Sequence, residues 1–386
     1  MAAPKVSIIM SNYNCHDFIE ETIKSVLAQT FKDFEFIIID YCSTDDSRDI
    51  IDQFTDPRIK RYYFEKNEHM CYAFNYAISK AKGNYYARID SDDTWLPNKL
   101  EQQVNYMEAN KNCGACFTLI TVVDENNNPL TNDQSDRVGL LETHNRSQAE
   151  WLRKFYFEGS CLCHPSVLMR KSTIDEVGPY NYSLVQIQDY ELWVRIAKKY
   201  DIYVIQERLT NYRWFLTGRN ASAPSPAVNT RSEFEFTYVL SRYFDDIPDE
   251  LFIEAFGKDF VAVGTTDHDE LLCERALLLL RSVFCGNRPK LGGMEKLIDL
   301  LQNEKTRNIL RNKYNITQKN FYELSASPVF YSDEMMMEID YLRQELTKKP
   351  DFDPSKLNWR EKLWIITPRP LWNICSKCFR LVVKRK

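Results

Sequence analysis

The start of the chain is dominated by four short apolar runs separated by helical patterns. The runs cover residues 6–10, 34–40, 59–64 and 85–89 and are rich in Val, Ile, Phe and Tyr. After the first run, Ile19, Ile23, Val26 and Leu27 recur at helical spacing; a second helix opens near 43–47, and residues 72–82 form another before the fourth run. Strands that are apolar throughout, alternating with helices, indicate a mostly parallel sheet covered on both faces. This predicts an α/β, Rossmann-like domain. Ligands of such sheets bind beyond the carboxyl ends of the strands. Those ends are residues 11–14, 40–44, 65–69 and 90–93, and three of the four carry at least one acid.

The pattern continues with an apolar run at 114–123, a hairpin and loop over 124–145, and an apolar segment at 151–157. A run around 166–170 and a helix opening near Asp189 follow, and the sheet ends by Arg213. Residues 218–230, with Pro224 and Pro226, read as a boundary. Beyond it the patterns are helical at 270–284, 294–313 and 334–348. We therefore expect a domain over 1–230, a helical C-terminal domain over 231–348 and a basic tail over 349–386.

Composition narrows the class. Hydrophobic residues make up 44% and charged residues 27%, which suits a chain with a substantial core. No segment approaches the roughly 20 uninterrupted apolar residues of a membrane-spanning helix. The N-terminus lacks a signal-peptide pattern, and eleven scattered cysteines fit a reducing compartment, so a cytoplasmic location is expected. Cys113 and Cys116 have C-x-x-C spacing but flank the start of a strand, where core packing explains them better than zinc. The net charge of −5 conceals an asymmetry: residues 359–386 hold eight Lys/Arg and one Glu, or +7, leaving −12 elsewhere. An acidic body argues against nucleic-acid binding.

Asp90-Ser91-Asp92-Asp93 ends the fourth strand. Carboxylates this close repel by on the order of 4 kcal/mol per pair near 4 Å at an effective dielectric of 20. Water can screen them, one can hold a proton, or a divalent cation can sit among them. Oxygen ligands at a strand end suit Mg²⁺ or Mn²⁺. Taken alone, the motif serves equally well as a cap for the helix beginning near Pro97.

The surroundings break that tie. Ser7-Ile8-Ile9-Met10-Ser11-Asn12-Tyr13-Asn14, Ile39-Asp40 before Ser43-Thr44-Asp45, Arg88-Ile89-Asp90-Ser91-Asp92-Asp93, His164-Pro165-Ser166, Val177-Gly178-Pro179-Tyr180 and Gln188-Asp189-Tyr190 occur in one order. Over about residues 4–222 the chain resembles family 2 glycosyltransferases, inverting enzymes of the GT-A fold with a D-x-D signature. The resemblance implies that Ser11 and Tyr13 contact the nucleoside and that Asp40 reads the base. Arg88, Asp90 and Asp93 belong to the substrate site, Asp90 holding the sugar or ribose. Asp92 is the ligand of Mn²⁺ or Mg²⁺, and Asp189 is the general base. His69 is a pocket residue or a plain loop histidine, His164 lines the acceptor pocket or is a satisfied buried histidine, and Arg213 closes over the phosphates or is a solvated loop cation. Two departures stand out. Tyr41 occupies the position of a second acid after Asp40, which puts uridine specificity in question and leaves Tyr41 either to stack on the base or to leave recognition to Asp40; residues 67–70 lack a glycine common in relatives.

The function implied is single-displacement transfer from a nucleoside-diphosphate sugar, a UDP-sugar foremost, to a glycan or lipid-linked acceptor. Surface polysaccharide or glycoconjugate synthesis is the expected setting. Two rivals are a non-catalytic nucleotide-sugar-binding protein, which needs no base, and a nucleotidyltransferase, which usually carries a basic glycine-rich loop where this chain has residues 11–16. In the tail, Leu371, Ile374, Cys375, Cys378, Phe379 and Val382 share helical spacing beside Lys377, Arg380 and Lys384. That describes a helix lying on an anionic membrane surface, the inner face of the cell membrane, or docked on the acidic body or a second copy of the chain.

Overall fold

The computed structural model describes residues 3–220, 223, 225–281 and 288–326. The chain divides into two units, the first ending at His268 and the second starting at Asp269. The first unit opens with β1 (Val6–Asn12), α1 (Ile19–Leu27), β2 (Phe34–Asp40), α2 (Ser47–Asp52), β3 (Ile59–Tyr63), α3 (His69–Lys80) and β4 (Tyr85–Asp90). Then come β5 (Thr94–Trp95), α4 (Lys99–Ala109), β6 (Cys113–Val123), α5 (Arg137–Leu140), α6 (Gln148–Glu158), β7 (Leu168–Arg170), α7 (Lys171–Val177), α8 (Gln188–Ala197) and β8 (Asp201–Arg213). Two more helices, α9 (Pro226–Ser241) and α10 (Asp249–Phe256), close this unit, so it runs past the boundary expected near residue 230.

One eight-stranded sheet in the order β3-β2-β1-β4-β7-β6-β8-β5 carries the unit. Its first four strands are parallel; every residue of β1 and β2 is buried, as unbroken apolar runs require. The second half is mixed. The three-residue β7 runs antiparallel to both β4 and β6, β6 and β8 are parallel, and β5 pairs antiparallel with β8. Ile8, Phe36, Ile38 and Ile89 pack with Ile19, Ile23 and Val26 of α1 and Leu100 and Val104 of α4 in the main core. Cys113 and Cys116 are buried in this core. At Gly83 a Cβ would stand 2.5 Å from the Ser7 nitrogen, so only glycine lets the turn into β4 cross β1 there.

The second unit is helical: α11 (His268–Leu280), whose first residue still belongs to the first unit, α12 (Lys290–Gln302), α13 (Glu304–Lys313) and α14 (Gln318–Ser325). The single helix expected over 294–313 is two. Asn303 leaves helical geometry (ψ 129°), and its side chain accepts N–H bonds from Lys305 and Thr306, restarting the helix as an N-cap. The pattern at 334–348 and the basic tail lie outside the described residues. Among the described residues, no helix is long and apolar enough to cross a membrane.

Candidate active site

Strand register assembles the site. Ser11 pairs with Asp90 and Asn12 with Asp40, so the carboxyl ends of β4, β1 and β2 lie side by side. Beyond them opens a cleft of about 340 Å³, within the range of small-molecule sites. Ser11, Tyr13, Tyr41, Arg88, Asp90 and Asp92 line it from the strand ends. His164, Asp189 and Arg213 line it from later segments. Carboxylates far apart in sequence thus face one space.

Three expected residues stand elsewhere. Asp40 is fully buried and does not line the cleft. Its Oδ1 accepts from Arg48 Nε (2.6 Å) and Ser43 N–H (3.0 Å), and its Oδ2 from Asn12 Nδ2 (2.7 Å) and Ser43 Oγ (2.5 Å). His69 opens α3 exposed, with φ at 65°, and its neighbour Met70 lines the cleft instead. Asp93 points into the protein, where its Oδ1 accepts the Arg213 backbone N–H at 2.7 Å. The acidic cluster facing the cleft is therefore Asp90 with Asp92.

Arg213 borders the cleft, but its guanidinium is spent. Nε donates to the Asp92 carbonyl (2.8 Å), Nη1 to the carbonyls of Asp124 and Glu125, and Nη2 to Asn127 Oδ1 and Glu21 Oε2. Five donors on five acceptors make a brace between the end of β8 and the acidic turn, not a phosphate clamp. Arg88 is the opposite case. Only 4% exposed, it donates Nη2 to Asp90 Oδ1 at 2.6 Å and lies over the Phe74 ring at 4.1 Å. Its Nε and Nη1 have no hydrogen-bond partner among the described residues, an unusual state for buried donors and one that an anionic ligand would relieve.

The electrostatics follow from crowding in a recess. Burial, reinforced by the charge of Asp90, pushes the Asp92 carboxyl up to about 7. Asp93 is held well above the ordinary range by burial and by Asp92. Asp189 is raised too, chiefly by burial, against the lowering effect of the N–H of Tyr190 on its Oδ1 (2.8 Å). His164 sits beside it, Nδ1 3.9 Å from Asp189 Oδ2 and Nε2 2.7 Å from the Tyr180 hydroxyl. Carboxyls perturbed by burial and by each other in a cleft mark a functional site.

No group of three or more His, Cys, Asp or Glu side chains forms a cation cage among the described residues. The donor set present is Asp92 with its neighbour Asp90. That suits an ion such as Mg²⁺, which takes one or two carboxylates and completes its shell with waters and substrate phosphates. The residues fit a cation brought together with a phosphate-bearing ligand.

Comparison with known proteins identifies the family. The family model described as Glycosyl transferase family 2 matches residues 7–178. A glycosyltransferase of Methanocaldococcus jannaschii, itself uncharacterised, is 33% identical over 219 residues, covering 55% of this chain and 72% of the relative. The chain belongs to glycosyl transferase family 2. An Escherichia coli relative, named UDP-Glc:alpha-D-GlcNAc-diphosphoundecaprenol beta-1,3-glucosyltransferase, is 33% identical over half of this chain and 70% of its own length. Among solved structures, S. aureus TarS 1-349, crystallised with UDP-GlcNAc, superposes with a TM-score of 0.53 over 79% of this chain and 88% of that one. At 17% identity it shows the shared GT-A-type fold.

Other parts of this glycosyltransferase's site were hidden from sequence reasoning. Glu235 of α9, 1% exposed, accepts the backbone N–H groups of Val185 (2.9 Å), Gln186 (2.8 Å) and Ile187 (3.1 Å). It holds the approach to α8, and Val185 and Gln186 line the cleft. A glutamate inside a helix beyond the recognisable motifs gives no sequence signal for this. Arg195 pins the same helix from the other side, bonded to Glu191 and to the carbonyls of Gly178 and Pro179, which explains the spacing of those two motifs.

Proposed function

We propose that this family 2 glycosyltransferase moves a sugar from a nucleoside-diphosphate sugar to a hydroxyl of a glycan or lipid-linked acceptor, with inversion at the anomeric carbon. The observation that carries the reading is that Asp189 and the Asp90–Asp92 pair line one cleft. In the proposed step the acceptor oxygen bonds to the anomeric carbon as its proton passes to the Asp189 carboxylate. The bond from that carbon to the phosphate oxygen breaks, and its electron pair leaves with the nucleoside diphosphate. A general base in this role typically contributes 10²–10⁴-fold. Asp189, raised by burial, is a stronger base than an exposed carboxylate.

The unpartnered N–H groups of Arg88 suit the diphosphate or an anionic edge of the sugar. A Mn²⁺ or Mg²⁺ ion held by Asp92 and Asp90 would neutralise charge on the leaving oxygens. An α-linked donor then yields a β-linked product. A lipid-linked acceptor also fits the +7 charge of residues 359–386, which would favour an anionic membrane surface; co-sedimentation of the full chain with anionic vesicles, weakened by salt, is the expected sign.

A panel of nucleotide sugars, read by release of free nucleoside diphosphate with Mn²⁺, Mg²⁺ or chelator, tests the reading. Release should require metal and collapse in Asp92→Ala. Full activity of that variant in chelator would remove the metal from the mechanism.

A further inference from the structure

The nucleobase end of the cleft differs from what the carboxylate at the end of β2 suggests. Asp40 has four donors on its two oxygens and no exposed surface, so its capacity to accept is used within the protein. Asn14, at the end of β1, is also committed, its Oδ1 accepting the Thr44 N–H at 2.7 Å. The next residue after Asp40 reaches the cleft instead. Tyr41 lines it, and Cys42 turns the chain away with φ at 79°. The Tyr41 ring stacks on Tyr13, centroids 5.3 Å apart and planes 15° from parallel, and Tyr13 is 41% exposed. A flat aromatic pair thus borders the same cleft as Asp90, Asp92 and Arg88.

A ligand with a planar heterocycle at one end and anionic groups at the other matches that layout. We propose that Tyr41, together with Tyr13, holds the donor's nucleobase by its face, and that no carboxylate of β2 reads the base edge. This rests on the nucleotide-sugar reading above. Stacking tolerates any base, because each offers a π-face, so selection among nucleobases is weak and Tyr41 sets affinity more than identity.

Titration of the full-length protein with UDP, CDP, GDP and ADP in Mg²⁺ tests this, using the parent, Tyr41→Phe, Tyr41→Leu and Tyr41→Ala. The four dissociation constants in the parent should fall within about tenfold of one another. Tyr41→Leu and Tyr41→Ala should weaken all four alike, by roughly 5- to 100-fold, the scale of one base–aromatic stack. Tyr41→Phe should stay near the parent. A preference above 100-fold for one base, or unchanged binding in a folded Tyr41→Leu, overturns the inference. Absence of binding by all four to the parent would instead remove the nucleotide-sugar reading, and this inference with it.

Discussion

His164 presents Nδ1 to Asp189 Oδ2 at 3.9 Å while its Nε2 lies 2.7 Å from the Tyr180 hydroxyl. The buried phenol of Tyr180 is pushed above its ordinary range and keeps its proton. In the tautomer in which the phenol donates to Nε2, the imidazole N–H is on Nδ1 and faces the carboxylate. At 3.9 Å the pair is too long for a hydrogen bond, and such contacts tighten when substrate binds.

The pH dependence of turnover follows. Burial raises the Asp189 carboxyl, so the acid limb of the kcat profile should lie above the ordinary carboxylate range, activity rising with pH as Asp189 loses its proton. A His164 N–H drawn onto the carboxylate when substrate binds would favour the anion, so removing it raises this group further in the working complex. His164→Ala should shift the acid limb to higher pH and lower kcat about tenfold. An unmoved limb assigns His164 to packing against Phe74 and Trp193 alone.

Glu235 makes a second prediction. Its carboxylate satisfies three successive N–H groups, and an amide cannot, since one of its two heads is itself a donor. Glu235→Gln should destabilise the first unit by about 1–3 kcal/mol. It should also lower kcat while leaving nucleoside-diphosphate affinity near the parent, because the disturbed segment leads to Asp189. Equal losses in both would point to general unfolding, readable by calorimetry.

A third concerns Lys99, buried without a carboxylate partner among the described residues. Its ammonium bonds Gln103 Oε1 at 2.7 Å and lies 3.9 Å from the centre of the Trp95 ring, and burial lowers it to about 7. The unfolded value is near 10.5, so the folded state holds fewer protons between these values. The destabilising contribution is therefore fully present below about pH 7 and is relieved as pH rises toward 10.5. Lys99→Met should raise the melting temperature at pH 7 and flatten the rise of stability over that window. A lower melting temperature for the methionine variant would contradict the account.

Much of this was legible in the chain. The parallel half of the sheet follows from apolar runs whose burial on both faces leaves no alternation. The acidic turn and the Gln188-Asp189-Tyr190 helix start are local signatures. What stayed hidden depends on long-range pairing. The two-residue β5 and three-residue β7 are too short to carry a pattern, and their place comes from partners on β8, β4 and β6. Asp40 looked like a recognition group because its type and position fitted. The donors from Asn12, Ser43 and Arg48 show that it serves as a structural acceptor. Arg213 misled in the same way, since a cation near a phosphate site is indistinguishable in sequence from one braced by carbonyls.

The most direct test is Asp189→Asn, measured both for equilibrium binding of the donor nucleotide and for sugar transfer at saturating donor. The account predicts binding within about threefold of the parent and turnover reduced by roughly 10²–10⁴-fold. Turnover close to that of the parent would contradict it, because no other carboxylate would then be needed opposite Asp92.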